Sequence, residues 1–284
     1  MNEPSSRPAA AAGTVRLGDL TVRRMGFGAM RVTGRNVWGD PPDRAAARRL
    51  LVRAVELGVN FLDTADSYGP EVSERIVAEA LHPYPAGLVI GTKGGLLRPS
   101  PGRWDPDGRP EHLRRALDGS LERLRLERID LYQLHAPDPK VPFAESVGVL
   151  AELQRAGKIR HIGVSNVSVR ELEQARRIAP IVSVQNEYNL DYRSSDDVLA
   201  ACDKAGIAFI PWYPLGAGAL LRSARVKRVA AKLGATATQV ALAWLLARSR
   251  VMLPIPGTAS IAHLEENVSA AGLKLSGDDL ALLG

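Results

Sequence analysis

The chain has 284 residues, 45% of them hydrophobic, 24% charged and 5% aromatic, with a formal charge of +6. That supply of apolar residues is ample for a core, and the composition excludes a collagen, a coiled coil and a disulfide-stapled module. The single cysteine, Cys202, leaves no partner for an internal disulfide, and no run of eighteen apolar residues predicts a membrane span.

Residues 1–13 lack an apolar signal core and read as a short disordered tail. Residues 14–23 read as a hairpin turning at Gly18–Asp19. Short apolar runs then alternate with amphipathic stretches. Strands are expected at 25–30, 59–63, 88–93, 129–135, 159–164, 181–186, 207–212 and 251–255. Each run is continuous and bounded by turn residues, the mark of a strand buried on both faces. Helices are expected at 43–57, 110–126, 142–156, 168–178, 196–205, 223–233, 238–247 and 261–270. The first puts Ala47, Leu50, Leu51, Ala54 and Val55 on one face and ends at Gly58. The seventh connection carries two helices, split near Gly234–Thr236. No linker divides the chain. The expectation is one domain over 14–284, an α/β fold of the (β/α)8 TIM-barrel type with the hairpin capping its bottom. A doubly wound sheet is the alternative, but GFGAM at 26–30 is a poor glycine fingerprint.

In a parallel barrel, chemistry gathers where strands end. The strand ends here carry Asp63, Lys93, His135, Ser165 with Asn166, Gln185 and Trp212, and Tyr68 follows Asp63 by five residues. Singly, each has an ordinary structural role: a turn cap, a packed aromatic, a solvated charge, a satisfied histidine. Together they place a carboxylate, a phenol, an ammonium and an imidazole on one rim. A phenol titrates near 10 in water. An ammonium beside it stabilises the phenolate, and a carboxylate keeps that ammonium charged when buried. An imidazole can orient a carbonyl oxygen. The set suits proton delivery to a carbonyl, half of a reduction. Hydride, the other half, has to come from a nicotinamide cofactor.

Several motifs in order carry a resemblance to a known family. They are NFLDTADSYG at 60–69, GTKGG at 91–95, DLYQLH at 130–135, GKIRHIGVSN at 157–166, VQNEYN at 184–189 and PIPGT at 254–258. From about Thr14 to Ala271 the chain resembles the aldo-keto reductases, NAD(P)-dependent carbonyl reductases on a (β/α)8 barrel. The resemblance implies Tyr68 as proton donor, Lys93 and Asp63 as its tuning pair, and His135 as the group that positions the carbonyl. It implies that Ser165, Asn166 and Gln185 hold the nicotinamide carboxamide, with Trp212 stacked on the ring. Gly28 and Met30 join the cofactor contacts, and Leu215, Gly216 and Gly218 line the pyrophosphate. Gly257, Thr258, His263, Glu266 and Asn267 meet the adenosine end. Met30, Trp38, Trp104 and Tyr213 are the expected pocket walls.

Where many NADPH-preferring members carry Lys and Arg, this chain has Gly257 and His263. NADPH is the expected cofactor, with NADH possible, since a fixed bidentate grip is missing. The short segments after Trp212 and Asn267 predict an open pocket and broad specificity. Arg98 and Arg103, in a long basic third loop, suggest an anionic or phosphate-like substrate, and the loop with PIPGT is similar to that of bacterial members that reduce pyridoxal. Two other functions fit the same residues: a cofactor-binding regulator like the potassium-channel β-subunits, and a lyase with Lys93 as Schiff-base nucleophile. A small carbonyl compound is the expected partner. The arginines are scattered, without a basic stripe interleaved with aromatics, so nucleic acid is not expected. The five histidines lack metal-ligand spacing. The arginine bias over lysine is that of a GC-rich genome, so a bacterial, cytoplasmic protein is expected.

Overall fold

The computed structural model describes residues 7–218 and 222–284. The chain opens with a hairpin of β1 (Thr14–Leu17) and β2 (Leu20–Arg23). It continues through β3 (Phe27–Gly28), β4 (Phe61–Asp63) and β5 (Val89–Gly94). In the following loop, β6 (Leu96–Leu97) and β7 (Asp105–Pro106) pair antiparallel. Then come β8 (Ile129–Leu134), β9 (Ile159–Ser165), β10 (Ile181–Glu187) and β11 (Ala208–Trp212). Seven of these form a parallel sheet in strict chain order, from β3 through β4, β5, β8, β9 and β10 to β11.

The eighth barrel position is filled by the segment expected as a strand at 251–255. The Phe209 N–H donates to the Val251 carbonyl (2.9 Å), and the Leu253 N–H to the Phe209 carbonyl (2.8 Å). On the other side, the Gly26 N–H donates to the Pro254 carbonyl (2.9 Å). Only an isolated bridge at Met252 results. Pro254 and Pro256 have no N–H to give, so the ladder is not completed as a regular strand. The protein is a (β/α)8 barrel.

Strand periodicity sorts the inner face. Phe61, Val89, Leu131, Ala208 and Ile210 point into the lower barrel, where they pack with Val15, Leu17 and Val22 of the hairpin and with Leu253 and Ile255. The hairpin thus plugs the bottom. Two residues beyond Phe61, Leu131 and Ile210 come Asp63, Gln133 and Trp212, and four beyond Val89 comes Lys93, all toward the opposite end.

The shell contains α1 (Arg44–Glu56), α2 (Val72–Leu81), α3 (Pro110–Leu124), α4 (Phe143–Arg155), α5 (Val169–Ile178), α6 (Asp196–Ala205), α7 (Ala224–Leu233), α8 (Ala237–Arg248), α9 (Ile261–Ser269) and α10 (Gly277–Leu283). Asp43 caps α1 by accepting from the Ala46 N–H (2.7 Å). Gly234, in the left-handed region, ends α7 and Thr236 caps α8; the two meet at 94°. Among the described residues no single helix is long and apolar enough to cross a membrane. Cys202 is buried on α6, and burial pushes its thiol up to about 12.

Three features depart from the sequence reading. α2 is absent from it because polar residues face inward. Glu74 is fully buried, accepts from the Thr92 hydroxyl (2.6 Å) and pairs with Arg123 (2.6 Å), which breaks the apolar pattern. α10 is also absent, although Ser276 and Asp279 form a capping box. The expected tail 1–13 is ordered in its second half: Pro8–Ala12 form a 3-10 helix, Ala9 is buried, and its N–H donates to the Leu57 carbonyl (3.2 Å). Residues 1–6 lie outside the described residues.

Closure of the barrel depends on two backbones without side chains between them. A Cβ at Gly257 would stand 2.4 Å from the Gly28 carbonyl oxygen, and one at Gly28 would stand 2.8 Å from the Ile255 carbonyl oxygen. Gly257→Ala is expected to cost about 1–3 kcal/mol by overpacking. Thermal unfolding by circular dichroism should show a Tm lowered by roughly 2–4 °C per kcal/mol. An unchanged Tm would mean that the seam gives way freely.

Candidate active site

β4 and β5 bring an ion pair into the barrel interior. The Lys93 Nζ lies 2.6 Å from Asp63 Oδ2, and both side chains are almost wholly shielded from solvent. The ammonium also donates to the Thr64 carbonyl (2.9 Å) and to the Tyr68 hydroxyl oxygen (3.2 Å). Its three N–H groups therefore have three acceptors. The other carboxylate oxygen of Asp63 accepts from Gln133 Nε2 (3.1 Å) and Gln185 Nε2 (2.9 Å). The phenol oxygen of Tyr68 accepts from lysine, which leaves its own O–H to donate. The tyrosine follows β4 in a turn fixed by its N–H to the Ala65 carbonyl (3.2 Å) and by the Ser73 N–H to its own carbonyl (3.1 Å).

Electrostatics give each group a definite protonation state. Burial pushes the Tyr68 phenol above its ordinary value, and the Lys93 ammonium offsets this only in part. The sequence reading expected the lysine effect to dominate; desolvation of a fully buried phenol is larger. Burial alone would neutralise Lys93, but the Asp63 carboxylate and the phenol outweigh it and hold the lysine above its usual range. His135, just beyond β8, is pushed well below the ordinary imidazole range by burial, with the Lys93 charge adding to it. Its Nδ1 lies 3.3 Å from the Ser67 hydroxyl, and its ring meets Tyr68 edge to face with centroids 5.8 Å apart. A protonated phenol, a charged lysine and a neutral imidazole converge on the open end of the barrel.

A sequence model described as "Aldo/keto reductase family" matches residues 24–283. The chain belongs to the aldo/keto reductase family. Over 280 residues it is 51% identical to an uncharacterized oxidoreductase of Schizosaccharomyces pombe, covering 98% of this chain and 91% of that protein. It is 44% identical over 280 residues to pyridoxine 4-dehydrogenase of Escherichia coli, covering 96% and 98%. Among solved structures, an aldo-keto reductase from Klebsiella pneumoniae in complex with NADPH matches with a TM-score of 0.81 at 27% identity, covering 95% of this chain and 93% of that one.

The far side of this aldo/keto reductase rim is a chain of amide contacts. The Ser165 hydroxyl donates to the Gln185 carbonyl (2.6 Å). Asn166 takes a left-handed conformation (φ 59°), and its Nδ2 donates to the His135 carbonyl (2.9 Å) while its Oδ1 accepts from the Trp212 indole (2.9 Å). Gln185, expected with Ser165 and Asn166, also donates from Nε2 to Asp63 in the charged cluster. Trp212 is half-buried, with Tyr213 edge-on at 5.3 Å. Leu215 and the turn Gly216–Gly218 follow. Thr258 lies on the loop that leads into α9, and the Ser260 hydroxyl caps that helix by accepting from the His263 N–H (3.4 Å). Glu266 accepts from the Thr236 hydroxyl (2.6 Å), and Asn267 is buried. Any side chain at Gly257 would meet the Gly28 backbone carbonyl.

The expected pocket walls divide into two groups. Met30 and Trp104 pack with Val37, Ala65 and Tyr68, and Trp38 stands near them. Tyr213 is on the Trp212 side and exposed. The suggestion of an anionic substrate held by Arg98 does not survive. Its guanidinium is buried and bonded to backbone carbonyls, and Arg103 pairs with Asp105 (2.7 Å). Gln133 escaped the sequence reading, although it stands two residues before His135 on the same strand face and so shares its direction.

The neutral state of His135 has a consequence for stability. The unfolded imidazole takes up a proton near 6.5. The folded one does so only far lower, so below pH 6.5 the unfolded chain binds more protons and stability falls with pH. The limit is about 1.4 kcal/mol per pH unit. In urea unfolding, the stability advantage of wild type over His135→Gln should shrink by roughly 1–2 kcal/mol between pH 7 and pH 5. A constant difference would place the imidazole in a solvated setting.

Proposed function

We propose that this protein is an NADPH-dependent reductase of aldehydes and ketones, with residues 14–284 acting as one domain. The observation that carries the reading is the Tyr68 phenol, protonated by burial and 3.2 Å from a Lys93 ammonium that Asp63 keeps charged. The residues present also fit a nicotinamide dinucleotide. A flat indole, Trp212, stands half-open at the rim beside the amide of Asn166, and α9 presents a helix N-terminus, whose dipole suits an anion.

When bound, the reduced nicotinamide supplies the hydride. Tyr68 gives its O–H proton to the carbonyl oxygen of the substrate. Lys93, already bonded to the phenol oxygen, stabilises the phenolate that remains. Asp63 keeps the lysine protonated throughout. His135, uncharged, donates a ring N–H toward the carbonyl oxygen and so orients it without competing as an acid. Ser165, Asn166 and Gln185 would hold the nicotinamide carboxamide and Trp212 would stack on its ring. Gly28 and Met30 would lie beside it, Leu215, Gly216 and Gly218 would meet the pyrophosphate, and Gly257, Thr258, His263, Glu266 and Asn267 would meet the adenosine end.

Flat aromatic aldehydes are the proposed substrate class, pyridoxal among them. The support is the pair of indoles, Trp38 and Trp104, near the phenol, together with the identity to pyridoxine 4-dehydrogenase. The bacterial cytoplasm is the proposed setting, supported by the arginine-rich composition.

Consumption of NADPH with pyridoxal and with an activated aromatic aldehyde, followed by absorbance, tests the reading. Tyr68→Phe should lose about 10²–10⁴-fold in kcat while its Kd for NADPH stays within a small factor of wild type. Tight cofactor binding without wild-type turnover would overturn the reductase reading. His263→Arg should raise the preference for NADPH over NADH by about tenfold or more, the effect of one added charge-assisted bond. An unchanged ratio would remove His263 from the 2′-phosphate site.

A further inference from the structure

We infer that Arg98 is a positioning residue that locks the Tyr68 phenol and the indole walls into one unit, an inference that rests on the reductase reading above. Arg98 lies in the loop after β5, with 7% of its surface exposed. Its Nη1 donates to the Val37 carbonyl (3.0 Å) and the Ser67 carbonyl (3.3 Å). Its Nη2 donates to the Asn36 carbonyl (3.2 Å) and its Nε to the Arg103 carbonyl (3.0 Å). No carboxylate is among these partners. The guanidinium also lies over Trp104, 3.6 Å from the ring centroid, and 5.6 Å from that of Trp38. One planar cation thus joins three loops. Only a fork of several N–H groups in one plane reaches these acceptors together, and a lysine does not.

The loops it joins converge on Tyr68. Ser67, whose carbonyl Arg98 holds, precedes the tyrosine, and its hydroxyl meets His135. On the other side of the tyrosine, the Gly39 N–H donates to the Gly69 carbonyl (2.6 Å). The first loop is itself strained. Asn36 and Val37 both take left-handed conformations, with φ of 59° and 57°, and a β-branched valine rarely does so. The carbonyls of this strained pair are two of the four that Arg98 holds, and Trp38 comes next in the chain. Without the guanidinium the turn is free to relax, and it carries Trp38 with it. The Ser67–Tyr68 peptide and Trp104 lose the same tie. A reacting group displaced by about 1 Å costs up to ~10²-fold in rate.

The test compares wild type, Arg98→Ala and Arg98→Lys in the presence of NADPH. The substrates are an aromatic aldehyde and propanal. Both variants should lose about tenfold or more in kcat with either substrate. KM should rise several-fold for the aromatic aldehyde and stay near wild type for propanal, which does not need the indole walls. The Kd for NADPH should be unchanged. Added guanidinium ion should restore part of kcat to Arg98→Ala. Hydrogen exchange reads the geometry without turnover: peptides containing 34–39 and 67–70 should exchange faster in both variants, and Arg98→Lys serves where the alanine variant is poorly folded. Kinetics close to wild type, or equal KM changes for the two aldehydes with no guanidinium rescue, would overturn the inference. So would unchanged exchange in the two loops, whatever the turnover. A wild type that binds NADPH without turnover, while its variants exchange faster, would overturn the reductase reading and leave the positioning role standing.

Discussion

The ion pair between Lys93 and Asp63 is the constraint on which the site depends. Two charges removed from water cost several kcal/mol each, and their attraction returns this only when every remaining donor and acceptor is matched. Here the match is complete. Lysine has three acceptors in Asp63, Thr64 and Tyr68, and the carboxylate has Gln133 and Gln185 on its second oxygen. A pair of this kind adds little net stability. What it fixes is an ammonium under a phenol in a place where solvent does not screen it. Four strands and one loop have to be in register for that to happen.

The barrel supplies the register. Side chains alternate along each strand, so a residue two positions beyond a core-filling one points the same way but nearer the mouth. Phe61 and Asp63, Leu131 and Gln133, and Ile210 and Trp212 are such pairs. The apolar member packs against the hairpin plug and the polar member enters the site. Stability and chemistry are thus divided along the length of the same strands. Gly28 and Gly257 draw the seam of the barrel close enough for the first loop to lie over the mouth, and Arg98 ties that loop to the tyrosine turn. The rim also joins the two sides of the site. Asn166, through its left-handed backbone, bonds both the His135 strand and the Trp212 indole, so displacement of one is felt at the other.

Much of the fold is legible along the chain because each unit announces itself locally. The strands at β5, β8, β9, β10 and β11 fall within a residue of the expected ends, since each is a short apolar run stopped by turn residues. The helix breaks at Gly58 and Gly234 follow from left-handed conformations that glycine adopts without cost. The elements that escaped are those whose signal is not local. α2 turns Ser73 and Glu74 inward because Thr64 and the Ala29 carbonyl satisfy the first and Thr92 and Arg123 the second. Pro254 and Pro256 remove the donors that would have made 251–255 a regular strand. Pro8–Ala12 are ordered where Ala9 is buried in the core and its N–H meets the Leu57 carbonyl.

For the site, the sequence by itself determined the cast: the barrel class, the strand ends that carry Asp63, Lys93, His135 and Trp212, and the family to which their motifs belong. Those follow from periodicity and from residue identity at a strand terminus, which are properties of short segments. The tertiary structure decided the protonation states and the partners. Whether the Tyr68 phenol rises or falls depends on how far burial outweighs one nearby ammonium, a balance of desolvation against charge at a given distance. That Gln185 reaches Asp63 depends on β10 facing β4 across the barrel, and whether Arg98 meets a substrate or four carbonyls depends on loops brought together from positions 36, 67 and 103. No local pattern encodes those meetings, because the energy that fixes them arises only when the closed barrel has excluded water from between them.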